Sequence, residues 1–169
     1  MIAITVAVIA ILTVWAFTRS QAAASMTWAM RGGLIALNVS MVAGIVMIIQ
    51  GVSQMAAGFI PQTTFGQAGI MKVPHAVGMH GIQVLPGLAW LLAFSGWPEP
   101  RRTRLVQQAA AGYLGLVAVS VLQTYSGLAP WDLTLLTAIL LLASLVPLAV
   151  GFAGAITSLQ QQHQPRPIR

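Results

Sequence analysis

"LTLLTAILLLASLVPLAVGFAGAI", residues 133 to 156, contains no charged side chain and decides the class of fold. A helix needs about 20 apolar residues to cross the hydrocarbon core of a bilayer, and this run exceeds that length. The whole chain has the same character, because 57% of its residues are hydrophobic and only 6% are charged. Soluble domains carry about a quarter charged residues, so the composition is that of an integral membrane protein.

Four further apolar runs precede this one, and together the five predict an all-α bundle of about five transmembrane helices. The predicted spans cover residues 2–17, 32–60, 73–94, 105–125 and 131–156, of which the first is the shortest. They form one transmembrane domain over residues 1–158, and a polar cytoplasmic tail follows over residues 159–169. The longest predicted outer connection, residues 59–72, mixes Gly, Pro and Thr, which is typical of an irregular loop or a re-entrant cap.

The arginines predict the orientation of this bundle. Seven lie on one side of the five spans, and Lys72 alone lies on the other; the seven are Arg19, Arg31, Arg101, Arg102, Arg104, Arg166 and Arg169. Positively charged loops stay in the cytoplasm, so we expect a multi-pass protein of the cell membrane with its N-terminus outside and its C-terminus inside. The net charge of +6 is thus a topology signal, and no nucleic-acid partner is expected.

The first run has an alternative interpretation as a secretory signal, because "AAAS" at 22–25 offers an A-x-A cleavage site. No positive charge precedes the run, however, and Arg19 interrupts the approach to the site. We therefore expect the segment to remain as a helix. The chain has no cysteine, which excludes thiolate chemistry, and only two acidic residues, which leave little scope for carboxylate chemistry.

Most of the polar side chains within the spans fall toward the predicted outer side. They are Gln50 and Gln54 on the second span, His75, His80 and Gln83 on the third, Gln123 and Tyr125 on the fourth, and Asp132 at the start of the fifth. The bilayer offers such groups no hydrogen-bond partner, so they either form a site or bond to one another between helices. For Asp132 a proton-relay role competes with capping of the fifth helix, and Tyr125 is most simply an interfacial anchor.

His80 is the leading candidate ligand, because it lies several residues inside the hydrocarbon. A neutral imidazole there can ligate haem iron or contact a quinone oxygen. His75 lies nearer the interface, and in a regular helix the two rings are about 140° apart. One ion reaches both only where the helix is irregular, so a two-histidine metal site is weakened without being excluded. Gln83 and Gln123 would orient the cofactor.

The leading functional prediction is a small redox protein that binds haem b or a quinone for electron transfer, because the cofactor would supply the chemistry that this chain lacks. The alternative is a non-catalytic membrane subunit or a small-solute carrier without cofactor, in which the same residues are interhelical hydrogen bonds. A metal-dependent membrane enzyme is the third hypothesis. Besides the lipid bilayer, the expected partners are further copies of the chain or a larger membrane complex.

Overall fold

The computed structural model describes residues 2–60 and 71–162, and five α-helices make up most of them. The helices are α1 (Ile2–Thr18), α2 (Ala24–Ala56), α3 (Lys72–Ala93), α4 (Glu99–Tyr125) and α5 (Leu135–Gln162). The described residues contain no strand, so the predicted all-helical bundle is confirmed. Most of the predicted 59–72 loop and the end of the predicted tail lie outside the described residues.

Helices α2 to α5 are long and apolar enough to cross a membrane. α1 has 17 residues, and at 1.5 Å per residue it is about 25 Å long, slightly less than the roughly 30 Å of hydrocarbon in a typical bilayer. Within the described part of the chain, α1 packs against α2 alone. Asn38 of α2 donates to the Thr13 hydroxyl of α1 over 2.9 Å, which satisfies a half-buried polar side chain between the two helices.

α2 begins at Ala24, eight residues before the apolar span predicted from residue 32. Arg31 therefore lies inside the helix, and its side chain reaches back to the end of α1. Its Nε donates to the Ala16 carbonyl over 3.1 Å, and Nη2 donates to that of Phe17 over 3.2 Å. The last carbonyls of a helix lack partners within it, so this arginine caps α1 while remaining part of α2.

Glycines set the spacing between α2 and α3. A Cβ added to Gly33 would lie 2.8 Å from the Cα of Ile82, and one added to Gly78 would lie 2.7 Å from the Ala36 carbonyl oxygen. Neither contact is tolerable for a real side chain, so the two backbones approach as closely as glycine allows. This interface places the first turn of α3 directly beside Ser40 of α2.

α4 lies against both of these helices, and α5 packs on α4. Where Gly112 and Gly115 face Ser144, added side chains would clash with it. At the end of the bundle that carries the arginines, the carboxylate of Glu99 accepts a hydrogen bond from the Ser25 backbone N–H over 2.7 Å. Glu99 also forms an ion pair with Arg102. A carboxylate at the start of α4 thus caps the first turn of α2, where the helix dipole favours negative charge.

Candidate functional site

His75 lies in the first turn of α3 and is held by Ser40 of α2. Its Nδ1 donates to the Ser40 carbonyl oxygen over 2.7 Å, and the Ser40 hydroxyl donates to the His75 carbonyl oxygen over 2.7 Å. A carbonyl can only accept, so a neutral His75 carries its proton on Nδ1 and a lone pair on Nε2. Nε2 makes no hydrogen bond to another described residue and is available to a ligand.

An open groove of about 330 Å³ lies beside this ring. We call it the His75 groove; it is lined by His75, Met41, Gly44, Ile45, Met47 and Ile48. Gly44 gives the ring its space, because a Cβ there would lie 3.0 Å from Cε1 of His75. Met41 and Met47 add thioethers, which are soft ligands suited to copper or haem iron.

His80 lies on another face of α3. The helix is continuous from Lys72 to Ala93, so the five-residue spacing separates the two histidine rings around the axis. His80 is exposed, and its Nδ1 donates to Oε1 of Gln83 over 2.9 Å. The histidines therefore do not converge on one ion. The described residues contain no group of three or more His, Asp or Glu side chains that could hold a metal.

Gln123 organises the turn between α4 and α5. Its Nε2 donates to three carbonyl oxygens, those of Ala129 at 2.8 Å, Pro130 at 3.1 Å and Asp132 at 3.4 Å. The Asp132 carboxylate accepts from the Ala129 N–H over 3.2 Å, within the same turn. Both residues thus satisfy backbone groups that the turn leaves without partners. Oε1 of Gln123 has no partner among the described residues.

A cavity of about 180 Å³ lies beside Gln123, between α3, α4 and α5. We call it the α4 cavity. Its polar lining is Ser120, Gln123 and Thr124, and its apolar lining is Val73, Val77, Leu116, Val119, Leu128, Pro130, Leu133 and Leu141. Thr124 is 7% exposed and Gln123 is 6% exposed. The Thr124 hydroxyl makes no hydrogen bond to another described residue, so it faces the cavity unpartnered.

The remaining sequence candidates lie apart from both places. Gln50 is exposed on α2. At 1.5 Å per residue, Gln50 lies about 9 Å beyond Gly44 along that helix, and Gln54 lies about 15 Å beyond Gly44. Tyr125 is 71% exposed at the end of α4. The structure therefore separates the predicted cluster into His75 with Ser40, His80 with Gln83, and Gln123 with the α4–α5 turn.

Sequence reasoning did not select Ser40, Gly44 or Thr124 as site residues. A signal for the first two was present, because small residues recur on α2 at Gly33, Ala36, Ser40 and Gly44, which is one helix face. No comparable signal marks Thr124. In comparisons with known protein families, curated proteins and solved structures, none matches this chain.

Proposed function

We propose that this protein is a multi-pass protein of the cell membrane that binds the headgroup of a lipid-soluble quinone in the α4 cavity. The observation that carries the proposal is the pair of buried side chains, Gln123 and Thr124, in a largely apolar space. Each has a polar atom without a partner among the described residues. Binding sites for small molecules have this character: apolar walls with a few polar groups that fix the orientation of the ligand.

The size of the cavity supports a single substituted ring. An apolar cavity of roughly 150 Å³ accommodates benzene, and the α4 cavity has about 180 Å³. A benzoquinone ring with small substituents is of this size. Because residues of both α3 and α5 line the cavity, we expect an isoprenoid tail to leave between these helices into the bilayer.

The polar groups suit both forms of such a ligand. The Thr124 hydroxyl can donate to a quinone carbonyl oxygen, and Gln123 Oε1 can accept from a quinol hydroxyl. The Ser120 hydroxyl donates to the Val117 carbonyl over 2.7 Å, so its oxygen adds an acceptor to the same wall. The quinone pairs with the Thr124 hydroxyl, and the quinol can in addition donate to Gln123 Oε1, so the reduced form leaves neither group without a partner. This favours a quinone or quinol over a purely apolar molecule.

Titration of duroquinone and its quinol into the full-length protein in lipid nanodiscs, followed by calorimetry, tests the proposal. Thr124→Val replaces the hydroxyl with a methyl group of similar size, and we expect both ligands to bind about 2- to 10-fold more weakly, the equivalent of one hydrogen bond. Val119→Phe fills the cavity and should abolish binding. Thr157→Val, an exposed threonine far along α5, is the matched control. Equal affinities in wild type and Val119→Phe would refute the site.

The anchored His75 favours haem b as a second candidate cofactor. Its Nδ1 is bonded to a backbone carbonyl, and its Nε2 has no partner in the described part of the chain. Proteins orient a metal-ligating histidine in this way. Haem would supply one-electron chemistry, and His75 would hold its iron from the groove. A reduced-minus-oxidised visible spectrum of haem-supplemented protein tests this: His75→Ala should remove the Soret band and His80→Ala should retain it. A spectrum without a Soret band in the wild type excludes this candidate.

A further inference from the structure

We infer that the outward face of α3 binds a second copy of this chain, through His80 and Gln83. This face carries a row of residues that we call the His80 stripe: His80, Gln83, Gly87, Trp90 and Phe94. They recur every three or four residues and so share one side of the helix, opposite the side that packs into the bundle. Trp90 is 57% and Phe94 52% exposed, and both polar residues are exposed as well.

The depth of the polar pair makes this exposure unusual. His80 and Gln83 are the ninth and twelfth of the 22 residues of α3, so they lie about 12 and 17 Å along a helix of about 33 Å. In a helix that crosses the bilayer, this is the middle of the hydrocarbon. Polar side chains at that depth normally face the protein interior or another helix rather than lipid. We therefore expect another protein surface to shield the His80 stripe from lipid.

The hydrogen bond within the pair indicates what covers it. An amide oxygen can only accept, so His80 Nδ1 donates to Gln83 Oε1. This leaves a lone pair on His80 Nε2 and two N–H groups on Gln83 Nε2, and neither has a partner among the described residues. In a two-fold interface, each surface meets an identical one, so the Gln83 amide of one copy can donate to His80 Nε2 of the other, twice. The pair is thus self-complementary.

Gly87 permits the close approach that this interface needs. A Cβ added there meets no atom within 4 Å, in contrast to the glycines of the α2–α3 contact. A small residue one turn from the polar pair lets two α3 helices come together, as small residues do in other membrane helix dimers. The stripe contributes no residue to the α4 cavity, so this inference is independent of the proposed quinone site.

The experiment measures the oligomeric state of the full chain in liposomes by single-molecule photobleaching across a range of protein-to-lipid ratios. We expect a dimer whose dissociation constant rises roughly tenfold in His80→Leu/Gln83→Leu, because the variant loses two hydrogen bonds between the α3 helices of the two copies. The exchange variant His80→Gln/Gln83→His keeps a donor and an acceptor and should recover most of the affinity. Gly87→Ile, whose Cβ would meet no atom of the single copy within 4 Å, should give monomers.

Cross-linking locates the interface without a measurement of the dimer dissociation constant. The native chain has no cysteine, so each cross-link reports on the introduced position alone. Gly87→Cys should form a disulfide-linked dimer under oxidation, whereas Leu142→Cys, at an exposed position of α5, should not. Three results would overturn the inference: a monomeric wild type, a dimer unaffected by both the leucine and the isoleucine variants, or cross-linking at position 142 but not at 87.

Discussion

At the residue scale, Gln123 shows how one buried amide stabilises a turn. Its Nε2 contacts three carbonyl oxygens of the α4–α5 connection, and these groups have few alternatives near an apolar cavity. We predict that Gln123→Leu lowers the free energy of unfolding by about 1–3 kcal/mol, because the carbonyls lose their donor. Thermal unfolding in detergent measures this loss.

Gln108→Leu supplies the control, since Gln108 is exposed on the same helix. Hydrogen exchange gives a second readout: the amide hydrogens of residues 128, 129 and 131–133 should exchange faster in Gln123→Leu and at the wild-type rate in Gln108→Leu. Equal exchange in the two variants would mean that the turn does not depend on the Gln123 side chain.

The polar residues also show which contacts could not be predicted from the sequence. The residues of the polar cluster were identified from the sequence, and the rule that polar groups in a span need partners applies to each of them. Their partners were not predictable, because His75 bonds to Ser40, 35 residues away, and Gln123 bonds to the turn that follows it. Such contacts depend on which residues two helices bring to the same level, and this requires the register of one helix against the next.

For the helices, the number and the order along the chain were predictable from the sequence, but the first residues of some helices were not. Apolar runs of sufficient length indicate spans, and five helices are present in the predicted order. α2 starts earlier than its apolar run because Arg31 finds acceptors at the end of α1. α5 starts at Leu135 rather than at residue 131 because Gln123 holds the preceding residues in a turn. In both cases a contact between elements shifted a boundary that hydropathy alone placed elsewhere.

The close α2–α3 contact predicts how glycine substitutions in α2 change the free energy of unfolding. Gly33→Ala should lower the free energy of unfolding by about 1–3 kcal/mol, because its Cβ would press against the backbone of α3 and overpack the interface. Gly51→Ala in the same helix has open space and should be neutral or stabilising by up to about 1 kcal/mol, since alanine favours the helix. Thermal unfolding of both variants measures the difference, and equal effects would contradict the close approach at Gly33.

At the scale of the whole molecule, the charge distribution makes the orientation testable. The arginines of the 19–31 and 101–104 regions lie at the same end of the described bundle, where Glu99 contacts Ser25. Lys72 and the α4–α5 turn lie at the opposite end. This arrangement follows from the alternation of helices, and the positive-inside rule assigns the arginine end to the cytoplasm.

Single cysteines in this cysteine-free chain test that assignment together with the length of α1. With a membrane-impermeant maleimide on intact cells, we expect Ser126→Cys to be labelled and Gln21→Cys to be labelled only after permeabilisation, because these exposed positions lie at opposite ends of the bundle. Ala3→Cys should be labelled in intact cells if α1 crosses the bilayer, which at about 25 Å requires local thinning of the hydrocarbon. If Gln21→Cys alone were labelled in intact cells, the orientation would be the opposite of the predicted one. An unlabelled Ala3→Cys beside a labelled Ser126→Cys would leave α2 to α5 as the spans and place α1 along the inner face.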